Sequence, residues 1–185
     1  MSQIGRLVAN YQRFVKLPWS AHLAGSQRVW FAVYPPAEER RLRVRLQEFE
    51  AATIEAGHGW RSVDITSAPA RWLGAHAERE GCFAEPEALV TLEEELQQQV
   101  VCELRQACEA DGVEGNTVLA VVGAGSLFGF ISVSAVVRKL EDSIRGRLLV
   151  FFPGEYERNI LRIMDAHDGF NYLGVPITCS ERLPV

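Results

Sequence analysis

The chain has 185 residues, 48% of them hydrophobic and 23% charged, with a net charge of −5 at pH 7. That length supports one domain with an ordinary core, and the composition excludes a disordered chain. The acidic balance argues against bulk capture of nucleic acid, no apolar run approaches the ~18 residues of a membrane helix, and no signal-peptide core opens the chain; a soluble, cytoplasmic protein without direct nucleic-acid contact is the expectation.

Ile4, Leu7, Val8, Tyr11, Phe14 and Val15 recur at helical spacing, which predicts an amphipathic helix over residues 2–16, ended by Pro18. Residues 28–34 supply a first strand through the unbroken run Val29-Trp30-Phe31-Ala32-Val33. Pro35-Pro36 stops it and opens a helix that carries Leu42, Val44, Leu46, Phe49 and Ile54 inward, closed by His58-Gly59. A second strand near residues 60–66 alternates Val63 and Ile65 with Ser62 and Asp64, the pattern of a strand wet on one face. A short helix around Trp72 and Leu73 follows. Leu89, Leu92, Leu96, Val100, Leu104 and Ala107 then predict one long helix over 86–109, about 35 Å in length.

Residues 117–122 form a third strand, ending in Gly123-Ala124-Gly125-Ser126. Ser132 caps a helix whose buried face is Val133, Val136, Val137, Leu140 and Ile144. A fourth strand over 148–152 runs into the turn signal Pro153-Gly154. A short helix with Ile160, Leu161, Ile163 and Met164 ends at Gly169, and an edge strand near 175–179 follows it despite Pro176. Strands alternating with helices make a three-layer α/β sandwich with a mainly parallel, Rossmann-like sheet, in one domain spanning residues 1–185. The favoured strand order is 2-1-3-4, with continuously apolar strands inside and the half-polar second strand at an edge.

Cys82, Cys102, Cys108 and Cys179 show no Cys-x-x-Cys spacing, and His22, His58, His76 and His167 fall in no zinc-finger pattern, so reduced thiols and no metal are expected. Arg138, Lys139, Arg145 and Arg147 are interleaved with Glu141 and Asp142 and read as a solvated helix face. The turn from Gly123 to Gly129 invites a phosphate reading, since amides between a strand and a helix face anions well. It lacks the lysine of a Walker loop, where Phe130 and Ile131 stand, and its third glycine is one residue late for a dinucleotide fingerprint. Glu155 and Tyr156 stand at the same expected carboxyl edge as Ser126, where a carboxylate beside a phenol and a hydroxyl suits acid–base work. Glu155 equally suits capping a helix turn. No nucleophile–base pair accompanies them, and His167-Asp168 reads as a helix end, so no catalytic residue and no cofactor is assigned.

Gly123-x-Gly125-Ser126-Leu127-Phe128-x-Phe130-Ile131-x-Val133-Ser134, followed by Leu149-Val150-Phe151-Phe152-Pro153-Gly154-Glu155-Tyr156, resembles the BrxB component of BREX phage-defence systems. Tyr34-Pro35-Pro36 and Asn171-Tyr172 are similar too. Gly129 stands where family members often carry proline, and Leu173-Gly174 replaces the aromatic and basic residues that often follow Asn-Tyr. The resemblance implies a small accessory protein, more a binder than an enzyme. Its implied partners are other BREX proteins, particularly a PglZ-type component, with a homodimer also open. Tyr34, Phe128, Asn171 and Tyr172 are the candidate partner contacts. The competing expectation is a nucleotide or phosphate ligand held by Gly123, Gly125 and Ser126 with Glu155 and Tyr156. A third is hydrolysis with Glu155 as base.

Overall fold

The computed structural model describes residues 2–20, 22–77, 79–158, 160–163 and 172–180. Its strands are Val29–Tyr34 (β1), Gly59–Asp64 (β2), Thr117–Val122 (β3), Arg147–Glu157 (β4), Ile160–Ile163 (β5) and Val175–Ile177 (β6). Five of them run parallel in the order β2-β3-β4-β1-β6, and β5 folds back antiparallel on the far end of β4. The helices are Gln3–Val15 (α1), Glu39–Val44 (α2), Leu46–Glu55 (α3), Ala68–Ala75 (α4), Arg79–Ala84 (α5), Glu93–Glu109 (α6) and Val133–Arg138 (α7). Ser2 caps α1 by accepting from the Gly5 amide at 3.1 Å, and Ser132 caps α7 through the Ala135 amide.

The three central strands are buried on both faces, as continuous apolar runs require. Their side chains alternate between two cores. Trp30, Ala32, Val118, Ala120, Leu149 and Phe151 meet α1, α2 and α3 on one side. Phe31, Val33, Leu119, Val121, Val150 and Phe152 meet α6 and α7 on the other. The three-layer sandwich expected from the sequence is therefore the architecture found.

The expected strand order 2-1-3-4 is corrected. β2 is at an edge, but it pairs with β3, and β1 lies between β4 and β6. Helix width supplies the reason. α1 covers Trp30 of β1 through Tyr11 and Phe14, while Phe49 of α3 packs on Tyr11 and on Phe151 of β4. One helix diameter is about two strand spacings, so α3 beside α1 delivers the chain past β4 and β3 to the outside of the sheet.

Four further expectations are corrected. The helix after Pro36 breaks at Arg45, whose φ of −106° and ψ of 9° leave helical geometry; Leu42 and Phe49 stay buried, while Val44 is 82% exposed and Ile54 also faces solvent. The helix expected over 86–109 begins at Glu93, preceded by a 3-10 turn, Pro86–Leu92. Its 17 residues span about 25 Å rather than ~35 Å. Pro153-Gly154 is not a turn: β4 runs straight through it. A Cβ on Gly154 would lie 1.9 Å from the Arg162 carbonyl oxygen, so the glycine admits the close approach of β5. Ile160, Leu161 and Ile163, expected in a helix, form β5, turned back through Arg158 at a φ of 48°. Met164, His167, Asp168 and Gly169 lie outside the described residues.

Candidate functional site

Because the central strands run parallel and in register, β1, β2 and β3 end at Tyr34, Asp64 and Val122 on one edge, level with Phe151–Pro153 of β4, which continues beyond it. This is the carboxyl edge, where α/β folds place ligands. Gly123 turns the chain there at a φ of +90° and packs on Thr66, whose Oγ1 would be 2.3 Å from a Cβ at this position. Ser126 donates its hydroxyl to the Gly123 carbonyl at 2.8 Å or to that of Ile65 at 3.2 Å, so it locks the turn to the exit of β2.

Over this turn lies a cleft of about 360 Å³, lined by Pro36, Arg43, Thr66, Gly123, Gly125 and Pro153, among others. Arg43 donates to Glu39 Oε1 at 2.7 Å, to Asp64 Oδ2 at 3.0 Å and to Thr66 Oγ1 at 2.6 Å. Burial works to raise the Asp64 carboxyl, yet the bonds from Thr66 and Arg43 hold it below the ordinary carboxylate range. Tyr34 is 1% exposed and donates its hydroxyl to Glu39. Desolvation, reinforced by Glu39, pushes that phenol far above its usual value, so Tyr34 is a fixed donor. Two carboxylates around one guanidinium leave the cleft rim with no surplus positive charge for a phosphate.

Glu155 and Tyr156 line a neighbouring cleft of about 650 Å³, with Pro35, Pro176 and Ser180 on its other walls. The turn glycines and Ser126 are thus on one side of Pro153 and Glu155 on the other. Among the candidate partner contacts, Phe128 is half-exposed, Tyr172 is 6% exposed, and Asn171 lies outside the described residues. The Tyr172 ring packs on Phe31, and its hydroxyl donates to Glu141 Oε1 at 2.6 Å.

A third concavity, of about 170 Å³, was not anticipated. Trp72 and Leu73 of α4, Val90 of the 3-10 turn, Leu96 of α6 and Phe130 after the glycine turn form it, with Pro69, Leu92, Glu93 and Gly129. Val90 is 73% exposed and Phe130 41%. The sequence held a signal for it: Gly129 takes a φ of +80°, which turns Phe130 outward from a chain that is otherwise entering α7. Arg147 is a further correction. It is 5% exposed and buried at the start of β4, not on a solvated helix face.

Among the described residues no group of His, Cys, Asp and Glu side chains is placed to hold a metal, and no helix is long and apolar enough to cross a membrane. The fold and its edge define a Rossmann-like α/β protein whose carboxyl-edge polar groups are tied to one another. The family model for the BREX protein BrxB matches residues 69–174, more than half of the chain. The chain belongs to the BrxB family, which ties it to the multi-protein BREX phage-defence systems. The matched segment contains the glycine turn and the Phe-Phe-Pro-Gly-Glu-Tyr block; Tyr34-Pro35-Pro36 precedes it. No curated protein and no solved structure matches the chain.

Proposed function

We propose that this protein is a non-catalytic docking component of a BREX assembly, binding a second BREX protein through the groove between α4, the 3-10 turn at Pro86–Leu92 and Phe130. The observation that carries this reading is one of placement. Every residue lining the groove falls within residues 69–174, the segment that matches the family model. The groove also has the make-up of an interface centre: exposed Val90 and Phe130 beside Trp72 and Leu96, with Glu93 at its margin. The occupant that fits is an apolar anchor of one or two side chains, and the PglZ-type component is the partner we assign to it.

The tied-up carboxyl edge supports the non-catalytic half of the reading. Ser126 bonds to backbone, Arg43 to two carboxylates, and Tyr34 to Glu39. The competing reading, a phosphate ligand on Gly123–Ser126, would find the Ser126 hydroxyl and the Arg43 guanidinium beside it already engaged. Co-expression with the other BREX proteins tests the proposal: the PglZ-type component is expected to co-purify, and recovery of a lone monomer or a homodimer would count against it. Thermal unfolding with millimolar ATP, NAD or cyclic nucleotides is expected to show no shift, whereas a ligand at ~100 times its Kd would add about 2.7 kcal/mol.

A further inference from the structure

The opposite, amino edge of the sheet holds a pocket of about 270 Å³ that the docking role does not use. Its walls are Phe14 and Leu17 at the end of α1, Trp19 and Leu23 after it, Trp30 of β1, and Arg147 at the start of β4. The guanidinium carbon of Arg147 lies 4.7 Å from the centroid of Trp19 and 5.9 Å from that of Trp30. Two neutral acceptors serve it, the Gly146 carbonyl at 3.0 Å and the Ser20 carbonyl at 3.1 Å.

What is missing is a counter-charge. Arg147 is 5% exposed, and no carboxylate among the described residues pairs with it. Desolvation, and after it the like charge of Arg28, lowers its pKa. A guanidinium taken out of water without an anion carries a desolvation cost, which here only aromatic faces and two neutral carbonyls oppose. One wall residue also carries an unsatisfied donor: Trp19 Nε1 is buried and has no acceptor.

We infer that this pocket binds a small monocarboxylate with a flat apolar body, its carboxylate on Arg147 and its body between Phe14, Trp19 and Trp30. Arginine still has N–H donors to give, since a guanidinium carries five, and it suits a carboxylate geometrically. No second cation lines the pocket, so a multiply charged phosphate is poorly matched. The volume lies just under the ~300 Å³ at which ordinary ligand pockets begin, which limits the body to about one ring. Trp19 and Trp30 form the walls, so occupancy alters their emission.

The test uses the full chain with phenylacetate as probe and phenylacetamide as its uncharged match. Phenylacetate is expected to change tryptophan fluorescence saturably at sub-millimolar to millimolar concentration, at least tenfold more tightly than phenylacetamide. Leu17→Glu places a competing carboxylate at the half-exposed rim and is expected to abolish binding with an unchanged Tm. Arg147→Lys, which keeps the charge and loses the fork, is expected to weaken it, and Arg147→Met to abolish it. Equal binding of acid and amide, inorganic phosphate displacing the probe, full binding by Leu17→Glu, or no saturable change up to 20 mM (about −2.3 kcal/mol) would each overturn the inference. None of these outcomes bears on the docking groove, which is built from other elements.

Discussion

Arg43 of α2 donates to Asp64 at the end of β2, Nη1 to Oδ2 at 3.0 Å, so a helix over the sheet is fastened to the exit of an edge strand. The same guanidinium reaches Thr66, which packs on Gly123. The Asp64 side chain is half-exposed, and exposed pairs contribute at most ~1 kcal/mol. Arg43→Met is therefore expected to cost about 1 kcal/mol in urea unfolding at pH 7. A folded-state carboxyl pKa below the unfolded value of ~3.9 contributes stability that is fully present above that value and is lost as pH falls through the folded one. The gap between the wild type and Asp64→Asn should accordingly be open at pH 7 and closed near pH 2; a constant gap would show that the charge is not its origin.

Two glycines of the 123–129 turn separate strain from crowding. Both have positive φ, +90° at Gly123 and +80° at Gly129. A methyl at Gly123 meets Thr66, including its backbone nitrogen at 2.6 Å, whereas one at Gly129 meets nothing within 4 Å. Gly129→Ala is expected to cost about 1 kcal/mol from backbone strain alone. Gly123→Ala should cost ~3 kcal/mol or more, strain plus collision. Equal losses in denaturant unfolding would contradict the described contact between the turn and Thr66.

α1 and α3 are joined by a buried relay. Tyr11 and Thr53 are 2.6 Å apart through their hydroxyl oxygens, and Thr53 donates onward to the Phe49 carbonyl at 2.8 Å, which makes Tyr11 the donor to Thr53. Tyr11→Phe should cost about 1 kcal/mol, since Thr53 keeps its own acceptor. Thr53→Val strands the buried phenol and should cost up to ~3 kcal/mol. The order of the two, read by urea titration, checks the direction of the relay.

Thiol accessibility gives a chemical check on the packing. Burial pushes the Cys108 and Cys179 thiols up to about 11, and Cys82 is buried, whereas Cys102 faces solvent on α6. One thiol per native chain is expected to react quickly with a maleimide at pH 7.5, and Cys102→Ser should remove that phase. Fast reaction of Cys108 would mean that α6 does not stay docked on the sheet.

The layers and the burial of the three central strands were legible in the sequence, because runs such as Thr-Val-Leu-Ala-Val-Val leave no polar face. The neighbour of β2 was not, since it depends on how α1 and α3 share one face of the sheet. Pro153-Gly154 carries the local chemistry of a turn, but β5 crosses so close to Gly154 that the residue is needed within a strand. The sequence grouped the glycine turn with Glu155 and Tyr156, and local pattern could not show that they line two separate clefts. Arg147 looked like a neighbour of Arg145 in a basic run. Strand geometry alone turns it inward beneath Trp19 and Trp30.

The docking claim is tested most directly by the affinity of the purified protein for the PglZ-type component, with and without Val90→Asp and Phe130→Asp together. Both side chains are exposed in the groove, so the double variant should fold with an unchanged Tm. Isothermal titration is expected to show saturable binding by the wild type and a loss of at least 100-fold, about 2.7 kcal/mol, in the double variant. Undiminished binding by the double variant, or no binding by the wild type, would contradict it.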